Sequence, residues 1–361
     1  MTSPKAVSRQ TLRIIDANLN RIGEGLRLLE DTARLILNDA SLTQQLKNMR
    51  HELVEGDLSA NTRLLQARNS EGDVGINILA PEQERPRDLL NTVVANSRRV
   101  QESLRAIEEL TKLPDNPLRL DSEKFKQARF NLYTIERALL SKLLRQEKTK
   151  RLRGLYVIID TQALKGRKHV EVARQVIRGG AKVIQLRDKV SSKKELLPIA
   201  QQLRDLCREQ NVLFIVNDEL DLVLATDADG LHLGQKDLPI KVMRKMLPID
   251  KILGCSTNTV EQALAAEAEG ADYIAVGSIY PTTSKETAIV VGVERLREVR
   301  KAISLPLVAI GGINRENVSE AITAGADAVA VISAVVQADS PEEAARQIAS
   351  RLEVKDEDAN R

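Results

Sequence analysis

The chemistry of this chain is concentrated in short polar pieces that follow apolar runs in its second half. One run leads into Gln185, Arg187 and Lys189, spaced by two, so extended backbone puts an amide and two cations on one side. That trio suits a phosphate-bearing ligand, because guanidinium and ammonium groups make charge-assisted bonds to phosphate oxygens. A salt-bridged rim would use the same residues. The next run ends Val216-Asn217-Asp218, and Gly234-Gln235-Lys236-Asp237 follows the one after. Asp218 and Asp237 on neighbouring strand ends would hold one Mg²⁺ per site, since that ion takes one or two carboxylates and completes its shell with phosphate oxygens and water. Either carboxylate could instead cap the helix behind it.

Further along come Gly254-Cys255-Ser256, then Tyr280-Pro281-Thr282-Thr283-Ser284-Lys285, a hydroxyl-rich loop with one cation. Its length makes it a candidate lid. Gly311-Gly312 precedes a helical pattern and lets backbone N–H groups approach a phosphate, with Ser333 at the end of the last run. Two anion-binding regions result: cations and carboxylates around strands two to four, and a glycine nest around strands seven and eight. That layout suits the joining of two phosphorylated substrates, one activated as a Mg²⁺-bound diphosphate.

The elements that must position these groups are legible in the apolar period. Val- and Ile-rich runs recur at 155–159, 182–186, 212–216, 231–233, 252–254, 273–276, 307–310 and 328–332. Amphipathic stretches of helix length lie between most of them, at 170–179, 194–210, 259–270, 293–303 and 314–325. Near-continuous apolar strands alternating with helices predict a parallel sheet covered on both faces, and eight units predict a compact (β/α)₈ TIM barrel. An open doubly wound sheet is the alternative, but no Gly-x-Gly-x-x-Gly follows the first strand. In a barrel the strand ends named above share one face, where active sites are built.

The first part has a helical period instead. Leu12, Ile15, Leu19, Ile22, Leu26, Leu29, Ala33 and Ile36 step by three and four, and three further stripes follow: Leu42 to Leu53, Leu90 to Ile107, and Phe125 to Leu139. The stretch from Asn61 to Pro86 reads as a long connection. These stripes predict an all-α bundle over 1–148 ahead of the barrel domain, 149–361, with the charged run Arg145–Arg151 as linker or helix end. Asn18, Arg21, Glu24, Arg27 and Glu30 recur 78 residues later as Asn96, Arg99, Glu102, Arg105 and Glu108. Steps of three make each copy a charged ladder on a helix, either a solvated face or a site for a small polar ligand.

Composition bounds the partners. The 361 residues carry 54 basic and 51 acidic side chains, and aromatics are 2% with no Trp. Neither a net basic field nor a stacking platform for nucleic acid is present. No apolar run approaches the ~20 residues of a membrane span, and the start is polar. Two cysteines, Cys207 and Cys255, exclude a disulfide framework and point to the cytoplasm. Cys255 and His232 read as packed residues. A homo-oligomer is neither required nor excluded.

Taken in order, Gln185-Leu186-Arg187-Asp188-Lys189, Asn217-Asp218, Asp229-Gly230-Leu231-His232-Leu233-Gly234-Gln235-Lys236-Asp237, Gly254-Cys255-Ser256, the Gly277–Lys285 segment, Gly311-Gly312-Ile313 and Val331-Ile332-Ser333-Ala334 resemble the thiamine phosphate synthase family. The resemblance covers 154–353, and the helical part resembles an extra domain found in some bacterial members. It implies a TIM barrel that joins hydroxymethylpyrimidine diphosphate to thiazole phosphate, releasing diphosphate. It implies Arg187, Lys189 and Lys285 as catalytic cations on the diphosphate, with Gln185, Leu186, Asp188, Asn217 and Ser256 also on that substrate. Asp218 and Asp237 would bind Mg²⁺. Thr282, Thr283, Ser284, Gly312, Ile332 and Ser333 would hold the thiazole phosphate. Glu219 stands where the family often has Arg, reversing one rim charge, and Gly277-Ser278 replaces a frequent Gly-Pro, which should relax the base of the lid. A thiazole tautomerase-like barrel and a catalytically silent sensor of thiamine precursors are the alternatives; the complete set of cations and carboxylates argues against both.

Overall fold

The computed structural model describes residues 4–54, 58–69, 88–113, 118, 120–282 and 289–352. The chain divides into two compact units, Met1–Leu144 and Arg145–Arg361.

The first unit is helical: α1 (Pro4–Asp31), α2 (Ala40–Val54), α3 (Leu58–Ala67), α4 (Leu89–Leu110) and α5 (Ser122–Lys150), the last running past the unit boundary. The apolar stripes form its core, with Ile22, Leu26, Leu46, Val100, Leu104, Leu132 and Leu139 fully buried. α1 passes through a π-helical turn, Thr32–Ile36, and the chain breaks at Asn38, whose φ is 51°. Asp39 then accepts the Leu42 N–H at 3.0 Å, an N-cap that starts α2.

One sequence expectation changes here, and one pair of alternatives is decided. α3 occupies part of the expected connection; among those of its residues whose side chains are described, Leu64 and Ala67 are buried, a stripe too short to show as a period. Of the two readings of the charged run at 145–151, the helix end holds, because helix continues to Lys150. There the Arg145 Nε donates to Asp272 at 2.7 Å and Lys148 to the Asp250 carbonyl at 3.0 Å. The ladder residues also separate. Arg21, Glu24, Arg27 and their repeats Arg99, Glu102 and Arg105 are exposed, whereas Glu30 and Glu108 are buried. Each buried carboxylate receives a guanidinium from the following helix of its repeat, Arg50 at 2.9 Å and Arg129 at 3.0 Å. The duplication therefore comprises two helical hairpins.

The second unit is a closed barrel of eight parallel strands in sequence order. They are β1 (Gly154–Asp160), β2 (Ala181–Arg187), β3 (Leu213–Asn217), β4 (Gly230–Leu233), β5 (Ile252–Thr257), β6 (Tyr273–Val276), β7 (Leu307–Ile310) and β8 (Ala328–Val331). Helices intervene: α6 (His169–Arg178), α7 (Lys193–Glu209), α8 (Leu220–Thr226), α9 (Ile240–Met246), α10 (Val260–Glu269), α11 (Gly292–Ala302) and α12 (Val318–Thr323), with α13 (Ser333–Val336) and α14 (Pro341–Ala349) closing the ring. α9 has no counterpart in the sequence reading; a seven-residue helix is too short to establish a period.

Alternation sorts the strand residues into two cores. Tyr156, Ile158, Val183, Leu213, Ile215, Tyr273 and Val308 fill the barrel. Val157, Ile184, Leu186, Phe214, Val216, Cys255 and Ile274 pack outward against the helices. Three aspartates lock the amino ends of the strands. Asp229, Asp272 and Asp327, one residue before or near β4, β6 and β8, accept the N–H of Phe214, Leu253 and Leu307 at 3.0, 2.8 and 2.8 Å. The opposite rim is thereby left free for polar side chains.

Candidate active site

A cavity of about 1090 Å³ opens at the carboxyl ends of the strands. Gln185, Arg187, Lys189, Asn217, Asp218, Asp237, Ser256, Thr282, Gly312, Ile332 and Ser333 all line it, so residues from seven strand ends meet in one place. Leu186 and Asp188 do not. Alternation turns Leu186 into the outer core, where it is 1% exposed. Asp188 turns into its own loop, accepting from Thr161 Oγ1 at 2.6 Å, the Val190 N–H at 2.7 Å and the Ser191 N–H at 2.8 Å. Burial pushes its carboxyl up, but these donors outweigh it and bring it down to about 2. Thr283, Ser284 and Lys285 lie outside the described residues.

On the cationic side, Arg187 is paired with Asp160, a residue the sequence reading passed over. Asp160 is buried at the end of β1 and also accepts the Gln162 and Ala163 N–H groups at 3.0 and 3.1 Å. Lys189 pairs with Asp218 across the ends of β2 and β3. Neither cavity aspartate caps the helix behind it. The N-cap of α8 is Glu219 and that of α9 is Pro239, and neither end has a side-chain cap. Asp237 instead accepts the Gly234 N–H at 2.7 Å, which folds its loop back toward the strand ends. The Asp218 and Asp237 carboxylates face each other. Burial first, and then Asp237, hold the Asp218 carboxyl above its ordinary value, against the pull of Lys189. Glu219, the reversed charge, points away to Lys193 at 2.6 Å and does not line the cavity.

On the glycine side, Gly311 and Gly312 have φ of 100° and 66°, a region that costs other residues 1–2 kcal/mol or so. A side chain on Gly311 would also collide with Ser278, and one on Gly312 with the Pro281 carbonyl. Ser278 does not loosen this part of the rim. Its N–H donates to Ile289 at 3.2 Å, its carbonyl accepts from Val291 at 2.8 Å, and its hydroxyl donates to the Tyr280 carbonyl at 2.7 Å.

Beneath the cavity lies a polar chain that the sequence reading did not assemble. Gln185 Nε2 donates to Tyr156 Oη at 2.9 Å, and Tyr156 Oη is 3.1 Å from Tyr273 Oη. Tyr273 Oη is 2.9 Å from His232 Nδ1, and His232 Nε2 is 2.8 Å from Ser256 Oγ. Burial raises both tyrosines and pushes His232 down to about 4, so the ring is neutral at pH 7. The only signal in the sequence was two inward-facing tyrosines in a chain that has four.

Among the described residues, no helix is long and apolar enough to cross a membrane. A model of the thiamine monophosphate synthase family matches residues 155–335, and one of the ThiD2 family matches 13–138. The thiamine-phosphate synthase of Thermosynechococcus vestitus is 39% identical over 351 residues, 97% of each chain. That of Nostoc punctiforme is 38% identical over 346 residues, 96% of this chain and 95% of its own. The chain belongs to the thiamine-phosphate synthase family. The solved thiamine phosphate pyrophosphorylase from Pyrococcus furiosus is 41% identical with a TM-score of 0.53, covering 57% of this chain and 98% of that one. That alignment fits the barrel unit, whereas the full-length relatives span the helical unit as well. A thiamine-phosphate synthase is a transferase that forms thiamine phosphate. Neither the tautomerase-like barrel nor the silent sensor is favoured by relatives that carry both halves under this one name.

Proposed function

We propose that the enzyme joins hydroxymethylpyrimidine diphosphate to thiazole phosphate in this cavity, with diphosphate as the second product. The observation that carries the reading is the meeting of Arg187, Lys189 and the facing pair Asp218 and Asp237 on one side with Gly311-Gly312 and Ser333 on the other. The first group suits a diphosphate, the second a monophosphate.

Two carboxylates turned toward each other at the cost of mutual repulsion fit a divalent cation, and oxygen donors on a phosphate-binding rim fit Mg²⁺. Asp218 and Asp237 would hold it. When bound, the ion neutralises charge that builds on the leaving diphosphate. The chain's own cations act with it. Arg187, kept in place by Asp160, reaches the diphosphate, and Lys189 exchanges Asp218 for diphosphate oxygens. Lys285 belongs to the same group by its place in the sequence. Gln185, Asn217 and Ser256 orient the pyrimidine, and the Leu186 and Asp188 backbone carries the turn that presents their neighbours. Cleavage of the C–O bond leaves a pyrimidinylmethyl cation, and the thiazole nitrogen forms the new C–N bond with its lone pair. That nitrogen bears no proton, so no general base is required. Thr282, Thr283, Ser284, Gly312, Ile332 and Ser333 hold the thiazole phosphate and bring the nitrogen close.

Small phosphorylated molecules, rather than nucleic acid, are thus the partners, and two buried free thiols suit a cytoplasmic enzyme. The test is direct. Mixing both substrates with Mg²⁺ should release diphosphate in step with thiamine phosphate, and failure to form thiamine phosphate from the two would contradict the reading.

A further inference from the structure

The polar chain under the cavity has two ends, and both ends face ligand. All five members border the cavity; Gln185 and Ser256 stand at the two ends, and Tyr156, Tyr273 and His232 between them are buried, His232 7% exposed. Among the described residues, the side-chain hydrogen bonds of each buried member go to its neighbours in the chain, so its protons have few places to go.

With Gln185 Nε2 as the donor at one end, counting those protons gives the direction of every other bond. Gln185 Nε2 donates to Tyr156 Oη, which must pass its own proton on, and Tyr273 Oη is its remaining partner. Tyr273 then donates to His232 Nδ1. A neutral imidazole with an accepting Nδ1 carries its proton on Nε2, so His232 donates to Ser256 Oγ. The Ser256 proton is left for the cavity, and so is Gln185 Oε1. One end accepts and the other donates. Reversing either end requires reversing every bond between them, because an interrupted chain would leave a buried hydroxyl or ring nitrogen unpaired.

We infer that Tyr156, Tyr273 and His232 are positioning residues that couple Gln185 to Ser256, so that the floor reads a heterocycle offering a donor toward Gln185 and an acceptor toward Ser256. An aminopyrimidine does so through its exocyclic amino group and a ring nitrogen. Its oxo counterpart reverses the donor at the substituted position. This rests on the proposed placement of the pyrimidine between strands two and five, and it adds that selectivity comes from the hydrogen-bond order of three side chains in the cavity floor.

The experiment compares kcat/KM for the aminopyrimidine diphosphate and the analogue with oxygen in place of the amino group, in the wild type and in Tyr273→Phe. The variant keeps the ring and removes the hydroxyl in the middle of the chain. The wild-type preference should fall at least ~10-fold, since a site with an uncoupled donor no longer leaves a buried group unpaired when the wrong ligand binds. The KM for thiazole phosphate should not move. A preference unchanged within about twofold in folded Tyr273→Phe overturns the coupling. Gln185→Ala separates the two layers: if it leaves the KM of the aminopyrimidine substrate unaltered, the placement of the pyrimidine fails, not the coupling alone. Selective ¹⁵N-histidine labelling of the full-length wild type, with the pyrimidine substrate bound, supplies a readout that no variant is needed for. His232 should show a protonated Nε2 and a bare Nδ1, and the opposite tautomer overturns the assignment.

Discussion

Asp160 at the end of β1 holds the guanidinium of Arg187 at the end of β2, and both lie at the mouth of the barrel. The pair is unequal: Asp160 is buried and anchored by two backbone N–H groups, whereas Arg187 is partly exposed to the cavity. The carboxylate is therefore the fixed partner and the guanidinium the one presented to ligand. Asp160→Asn keeps an oxygen for the two N–H groups and loses the charge that aims Arg187. The expected result is a fall in kcat/KM of about 10- to 100-fold, ~1.4–2.7 kcal/mol, with the thiazole phosphate KM unchanged. Steady-state kinetics with each substrate varied in turn check it.

Asp218→Ala and Asp237→Ala should each lower kcat/KM by at least ~10²-fold, ~2.7 kcal/mol. Lys285→Ala is expected to do the same. Removing Mg²⁺ with a chelator should silence the wild type, and adding it back should restore diphosphate release. Asp218→Ala also frees Lys189 from its partner, so its KM for the diphosphate substrate should rise less than that of Asp237→Ala. Near-normal turnover in all three variants would remove these residues from the diphosphate site.

Much of this site was legible because alternation is a local property. Once β2 is extended, Gln185 and Arg187 must share a side and Leu186 must face the other, whatever the rest of the chain does; Lys189, two residues past the strand, keeps to the cavity side. The strands themselves were legible because each is a near-continuous apolar run. Asp160 was not. A carboxylate closing a strand resembles any other rim charge until the neighbouring strand brings Arg187 beside it. The Tyr156–Tyr273–His232 chain was hidden for a similar reason: it joins β1, β6 and β4, and only barrel closure puts them together. In the helical unit, Glu30 and Glu108 looked like further rungs of a ladder because spacing within one helix says nothing about the helix packed on top.

Burial of His232 sets a pH dependence of stability. Its folded value, down to about 4, lies below the ordinary 6.5. Between those limits the unfolded chain binds the proton more tightly than the native one. The contribution is complete above pH 6.5 or so, is lost as pH falls toward about 4, and does not change further below that. Between pH 7 and pH 5 the loss is about 2 kcal/mol from this residue. Urea unfolding at the two pH values should show it, and His232→Gln should flatten the difference by that amount. An equal slope in wild type and variant would mean that the ring is not held neutral.

Gly254 makes room for the same chain. A side chain at this position would overlap the Tyr273 ring, which lies across β5 inside the barrel. The motif Gly254-Cys255-Ser256 thus has three separate reasons: space for a tyrosine, a thiol packed outward, and a hydroxyl in the cavity. Gly254→Ala should destabilise the barrel by about 1–3 kcal/mol through overpacking. It should also weaken the preference for the amino substituent, because Tyr273 Oη can no longer reach both His232 and Tyr156. The steric cause predicts non-additivity. In a Tyr273→Val background the same change has nothing to collide with, so a double-mutant cycle on unfolding free energies should return a coupling of about 1 kcal/mol or more. Additive losses would mean that position 254 is sensitive to a side chain for some reason other than the ring beside it.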